Sequence, residues 1–130
     1  MKSKRLSLLL FAGFVTVLTG CASTSSRRLS TASDFDKVFA ACKPAVVECG
    51  FGITSASAAD GFISAQRALV GGFGEVEVMN IQVNRDGKGC SVQVSVVPPA
   101  DEVFRSMQKV VDNFTKALRD RVPDVAVSSQ

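Results

Sequence analysis

The chain has 130 residues, 46% hydrophobic and 21% charged, with 15 basic and 12 acidic residues and no His, Trp or Tyr. That length suits one small domain. Without His there is no Ser-His-Asp or Cys-His nucleophile system and no His-based metal site.

At the start, Lys2, Lys4 and Arg5 precede an apolar run over residues 6–18. A membrane-spanning helix needs about 20 apolar residues. A basic head before a shorter apolar stretch is the layout of a secretory signal. No Arg-Arg pair stands ahead of the run, which argues against twin-arginine export. A short retained anchor is the competing reading, and its length disfavours it. With residues 1–20 set aside as signal, basic and acidic residues balance at twelve each. The remaining chain then has no basic excess for nucleic acid.

The run ends Leu18-Thr19-Gly20-Cys21. These four residues resemble the lipobox of bacterial lipoproteins: an aliphatic residue, two small ones and a cysteine. The resemblance covers the first 21 residues. It implies cleavage between Gly20 and Cys21, lipidation of the Cys21 sulfur and acylation of the new amine. One acyl chain binds a membrane only marginally, at about 0.8 kcal/mol per buried CH₂. A multiply acylated cysteine is a lasting anchor. Residue 22 is Ala rather than Asp, which by the sorting rule of enteric lipoproteins implies the outer membrane, facing the periplasm.

Residues 21–33 comprise this cysteine and a Ser/Thr-rich stretch without apolar periodicity. The composition predicts a flexible tether spanning roughly 20 Å on average. Arg27 and Arg28 either brush anionic head groups, gaining about 1 kcal/mol each, or simply keep the tether soluble.

The folded domain is expected over residues 34–127. Phe35, Val38, Phe39, Cys42, Val46 and Cys49 follow helical spacing, with Ser33 or Asp34 as N-cap. Pro44 predicts a kink or an early end, and Gly50 a stop. Four strands follow. Phe51 and Ile53 alternate with small residues up to an Asp60-Gly61 turn. A return strand carries Ile63 and Ala65. The third holds Met79, Ile81 and Val83 on one side with Val76 and Val78 on the other, which hints at a bulge or a two-sided environment. Residues 84–89 read as a hairpin turn. Cys90, Val92, Val94 and Val96 then alternate with Ser91, Gln93 and Ser95. A last helix is expected over residues 100–122, with a stripe through Val103, Phe104, Met107, Val110, Val111, Phe114, Leu118 and Val122. Residues 124–127 could add a short edge strand.

The fold class that follows is α+β: a two-layer sandwich in the order α-β-β-β-β-α. A four-stranded antiparallel meander carries two helices on one face. The opposite face would present Thr54, Ala56, Ser64, Gln66, Asn80, Gln82, Ser91, Gln93 and Ser95, with Phe62, Val76 and Val78 among them. It is nearly free of charge, as interface cores are, so it is the candidate interaction face. A plain solvated sheet face is the competing reading.

Three cysteines remain beyond Cys21. No CxxC occurs, so a thioredoxin-like site has no support. Cys42 and Cys49 are seven apart, about 10.5 Å on an unbroken helix, beyond disulfide reach. Cys42–Cys90 is the candidate disulfide, with three buried thiols as the alternative. Gly71-Gly72-Phe73-Gly74 lies between strands and fits neither phosphate-binding context.

No catalytic residues, metal ligands or cofactor emerge. The reading is therefore a non-enzymatic, membrane-anchored envelope lipoprotein. It would be a protein-interaction or assembly module whose partners are the membrane, through acylated Cys21, and another envelope protein. The layout is similar in architecture to the helix-grip domains of the accessory lipoprotein in outer-membrane β-barrel assembly, which implies such a role. The alternative is a carrier of a small apolar ligand or lipid, held between helices and sheet. A thiol-based role for Cys49 is a third possibility.

Overall fold

The computed structural model describes residues 25–68, 74–98 and 107–128. Its elements are β1 (Ser25–Thr31), α1 (Phe35–Glu48), β2 (Gly52–Ser57), β3 (Phe62–Ala68), β4 (Val76–Asp86), β5 (Gly89–Val97), α2 (Met107–Arg121) and β6 (Ala126–Val127). The strands form one open antiparallel sheet in the order β2-β3-β4-β5-β1-β6. The α+β class and the β2–β5 meander are as expected. The count of four strands is not, because two more extend the sheet beyond β5.

The first addition corrects the tether. Ser25 to Thr31 pairs with β5 over its whole length, from Ser25 opposite Val96 to Thr31 opposite Cys90. Its burial alternates with period two. Leu29 is wholly buried and Thr31 nearly so, while Ser26 and Arg28 are exposed. Arg27 shares the inner side with Leu29. Its guanidinium bonds Asp112 at 2.6 Å and donates to the Thr115 hydroxyl at 3.2 Å. The apolar stem of an arginine can line a core while its head finds a polar partner. One leucine thus suffices to seat the strand, and the folded unit begins at Ser25 rather than Asp34. The second addition, β6, pairs with Leu29 and Ser30 of β1, at the edge position expected for residues 124–127.

Helix α1 buries Phe35, Val38, Phe39, Cys42, Ala45 and Val46. It passes through Pro44 without ending there. Pro44 and Ala40 are both exposed, so the carbonyl that the missing N–H leaves unbonded faces water. The cap is Asp34, in extended conformation and without a side-chain capping bond. At the other end, Gly50 has φ +86°. The Phe51 N–H donates to the Val46 carbonyl and the Gly50 N–H to that of Val47. This is the paired-bond ending that a left-handed glycine permits, and it drops Phe51 into the core at 2% exposure. Helix α2 buries Met107, Val110, Val111, Phe114, Thr115, Ala117 and Leu118. The expected stripe is therefore present from Met107 onward; Val103 and Phe104 lie outside the described residues.

Both helices lie on one face of the sheet and touch each other. They cover Leu29, Ile63, Ala65, Met79, Ile81, Val83, Val92, Val94 and Val96, each at most 1% exposed. Strand β4 pairs without a register shift, so the valines on its two sides reflect a two-sided environment. The irregularity sits in β2, between Ile53 and Ser55. There Thr54 turns its hydroxyl onto the Ser64 carbonyl at 3.1 Å. The shift puts Ala56 opposite the buried Ile63, on the helix side. The β4–β5 turn is also shorter than expected: Asp86 pairs with Gly89, leaving only Gly87 and Lys88 between them. Gly87 has φ +62°, as the first position of a tight hairpin turn demands.

Candidate functional site

The sheet face away from the helices gathers most of the expected interaction residues. Register places them in rows across the strands. One row runs Ser57, Phe62, Gln82, Gln93 and Arg28. The next runs Ser55, Ser64, Asn80, Ser95 and Ser26. A third holds Gln66, Val78 and Val97, and Val76 stands beyond it opposite Ala68. The polar side chains bond along the face. Ser64 Oγ donates to Asn80 Oδ1 at 2.9 Å, and Gln82 Nε2 donates to the Asp60 carbonyl at 2.7 Å. The Thr54 hydroxyl is engaged by its strand's irregularity rather than presented in a row.

Sequence reasoning missed the β1 part of this face. Ser26, Arg28 and Ser30 extend it by one strand, and Arg28 brings a positive charge to a surface expected to be neutral. Asp86 adds an acid at the hairpin end. The only trace of β1 in the sequence is the two-residue spacing of Arg27, Leu29 and Thr31 among small residues.

The cysteines do not form the expected bridge: Cys42, Cys49 and Cys90 are all free thiols. Cys42 and Cys90 are buried in one core and Cys42 feels Cys90. Burial first, then Cys90, pushes the Cys42 thiol up to about 12. Burial and Asp34 raise Cys90 against an opposing pull from Arg85. Cys49 is half-buried, and burial followed by Glu48 raises its thiol as well. A thiol held protonated is a poor nucleophile, which weakens the thiol-based reading.

At the end of α1, Arg67 gathers several groups. It bonds the fully buried Glu77 carboxylate at 2.6 Å and donates to the Cys49 carbonyl at 3.0 Å. Its guanidinium lies 4.5 Å from the centre of the Phe51 ring. The cluster ties the helix end to β3 and β4. Beside it, Glu48, Cys49, Asn113, Lys116, Ala117 and Asp120 line a surface hollow of about 310 Å³. Its walls mix acid, base and amide.

Among the described residues, no three Cys, Asp or Glu side chains gather as metal ligands, and no helix is long and apolar enough to cross a membrane. Gly20 and Cys21 lie outside the described residues.

No family model and no curated protein matches the chain. Among solved structures, it resembles the crystal structure of Ara h 8.0201, with 15% identity and a TM-score of 0.44 over 77% of this chain and 97% of that one. It also resembles the crystal structure of TTHA0849 from Thermus thermophilus, with 13% identity and a TM-score of 0.40 over 77% and 95%. Likenesses of this order carry no argument about activity or partners.

Proposed function

We propose that the chain is a non-enzymatic lipoprotein of the bacterial cell envelope. It is held by acylated Cys21, at the outer membrane and facing the periplasm. The observation that carries this reading is the Leu18-Thr19-Gly20-Cys21 motif behind a basic head and a short apolar run. The mass of the protein isolated from its native membrane tests it. The expected chain lacks residues 1–20 and carries acyl mass on Cys21, while C21S stays unprocessed. An intact Met1 on the native protein overturns the reading.

The domain's work, in this proposal, is to bind another envelope protein through the open sheet face. The support is compositional and geometric. Five strands present hydroxyls, amides and the half-buried Phe62, Val76 and Val78, with charge confined to Arg28 and Asp86. Interface cores are depleted in charge in this way. Photo-crosslinkers at Gln82 and Gln93 are expected to trap one defined envelope protein that a crosslinker at Lys37, exposed on α1, does not. Equal trapping from both sides, or none, overturns the assignment of the face. The carrier alternative gains nothing from the hollow beside Cys49, whose charged walls do not suit an apolar ligand.

A further inference from the structure

Strand β1 starts so close to Cys21 that an anchor there would fix where the domain stands; this rests on the anchoring reading above. Ala22, Ser23 and Thr24 alone separate Cys21 from Ser25. Four peptide steps reach about 14 Å at full extension. A domain starting at Asp34 would have had about 45 Å of chain to move on. The anchor therefore cannot act as a long leash.

Register identifies the end of the domain that is held. Ser25 stands opposite Val96, Val97 opposite Val78, and Ala68 opposite Val76. These residues share one end of the sheet. Val97 is 37% exposed there, and Pro98 follows it. The far end carries the Gly87–Lys88 hairpin turn and the turn at Asp60, and there Asp60, Arg85, Asp86, Lys88 and Asp124 are all exposed. Glu75 precedes the near strand ends, Arg67 pairs with Glu77 one residue in from Ala68 and Val76, and the exposed Glu48 ends α1 just before β2. The end that carries Ser25 is thus the tethered one, and the end with the Gly87–Lys88 turn is the free one.

We propose that the Ser25, Val97 and Val76 end of the sheet lies against the lipid surface, with the strands rising away from it. The partner surface is a bilayer: Cys21 acyl chains enter it, and Val97 and Pro98 meet its head groups. The open sheet face then stands as a wall beside the membrane. Whatever binds it must itself reach the membrane surface.

The test uses the full lipidated chain in vesicles of phosphatidylglycerol and phosphatidylethanolamine, in a C49S background. A fluorophore is placed by V97C or by K88C, and a nitroxide quencher is carried on the lipid head group. The β1 span between the two ends is about 20 Å at 3.3 Å per residue. Quenching is expected to be severalfold stronger at position 97 than at 88. Inserting about 20 Gly/Ser residues before Ser25, with a mean span of about 25 Å, is expected to remove the difference. Equal quenching at both positions on vesicle-bound, acylated protein overturns the orientation and leaves the anchor standing. Absence of acyl mass or of vesicle binding overturns the anchoring reading instead.

Discussion

Thr31 and Asp124, 93 positions apart, meet in a 2.8 Å hydrogen bond that closes the domain's two ends on each other. Thr31 donates through its hydroxyl. The same carboxylate accepts from the Ala32 N–H at 2.7 Å and the Ser33 hydroxyl at 3.2 Å. The turn from β1 into α1 is thus pinned by a residue that follows α2.

The Thr31 bond, then the Ala32 N–H, hold the Asp124 carboxyl below its usual value of 3.8. A depressed folded value means the unfolded chain takes up the proton first. The stability this group contributes is complete above the unfolded value and is lost as pH falls through the folded one. D124N is expected to lower the melting temperature at pH 7 and to flatten the acid limb of the melting-temperature profile. Identical acid limbs for the two proteins would show that the carboxylate does not hold the turn.

Leu29 distinguishes a strand from a tether. A tether leucine could be cut to alanine at little cost. Leu29 is 0% exposed, so L29A is expected to cost about 2–5 kcal/mol in denaturant unfolding. Removing residues 22–31 is expected to prevent folding, since it takes away the strand between β5 and β6.

Arg67 is the guanidinium partner of a wholly buried Glu77. Breaking a buried pair from one side costs about 3–5 kcal/mol. Arg67 keeps a quarter of its side chain exposed, so R67M is expected near the low end, about 3 kcal/mol. Replacing both residues with apolar ones is expected to recover part of the loss. Urea unfolding of the single and double variants measures the coupling.

Two glycines separate backbone strain from collision. Gly61 has φ +69°, and an added Cβ would lie 2.2 Å from the Val83 carbonyl oxygen. Gly87 has φ +62° with nothing within 4 Å. G87A should cost about 1–2 kcal/mol for the left-handed backbone alone. G61A should cost clearly more, and the difference in urea midpoints reports the Val83 contact.

The thiols rank by burial. Cys49 is expected to react with iodoacetamide at pH 8 in the folded protein. Cys42 and Cys90 should react only on unfolding, Cys42 with its thiol near 12 and Cys90 at 2% exposure. Peptide mass mapping of labelled protein checks the order.

Much of the core is legible because burial writes itself as period. Val92, Val94 and Val96 alternate with polar neighbours, and all three are wholly buried; the spacing from Phe35 to Val46 likewise marks α1. What escapes is decided elsewhere in the chain. β1 carries one leucine; its Arg27 finds Asp112 and Thr115 on α2, and its Thr31 finds Asp124 beyond that helix. No local pattern can announce a partner more than 80 residues away. Ala56 reads onto the wrong face because one irregularity at Thr54 inverts the alternation after it. The tolerance of Pro44 depends on which side of α1 meets water, which only packing decides. Of the interaction face, the β3, β4 and β5 residues can be read from alternation, and the β1 row with Arg28 cannot.

The position of β1 also sets an order of events. It is the first described strand in the chain, yet both its neighbours, β5 and β6, come later in sequence. The loop from β1 to β5 must close before their ladder can form, and non-local closure of this kind slows folding. Of the described strands, the first in the chain is thus among the last that can be placed. Until then its backbone is unpaired, and so is the β5 edge that it covers. A folding intermediate of this chain would therefore present an open β5 edge, which is where self-association would begin.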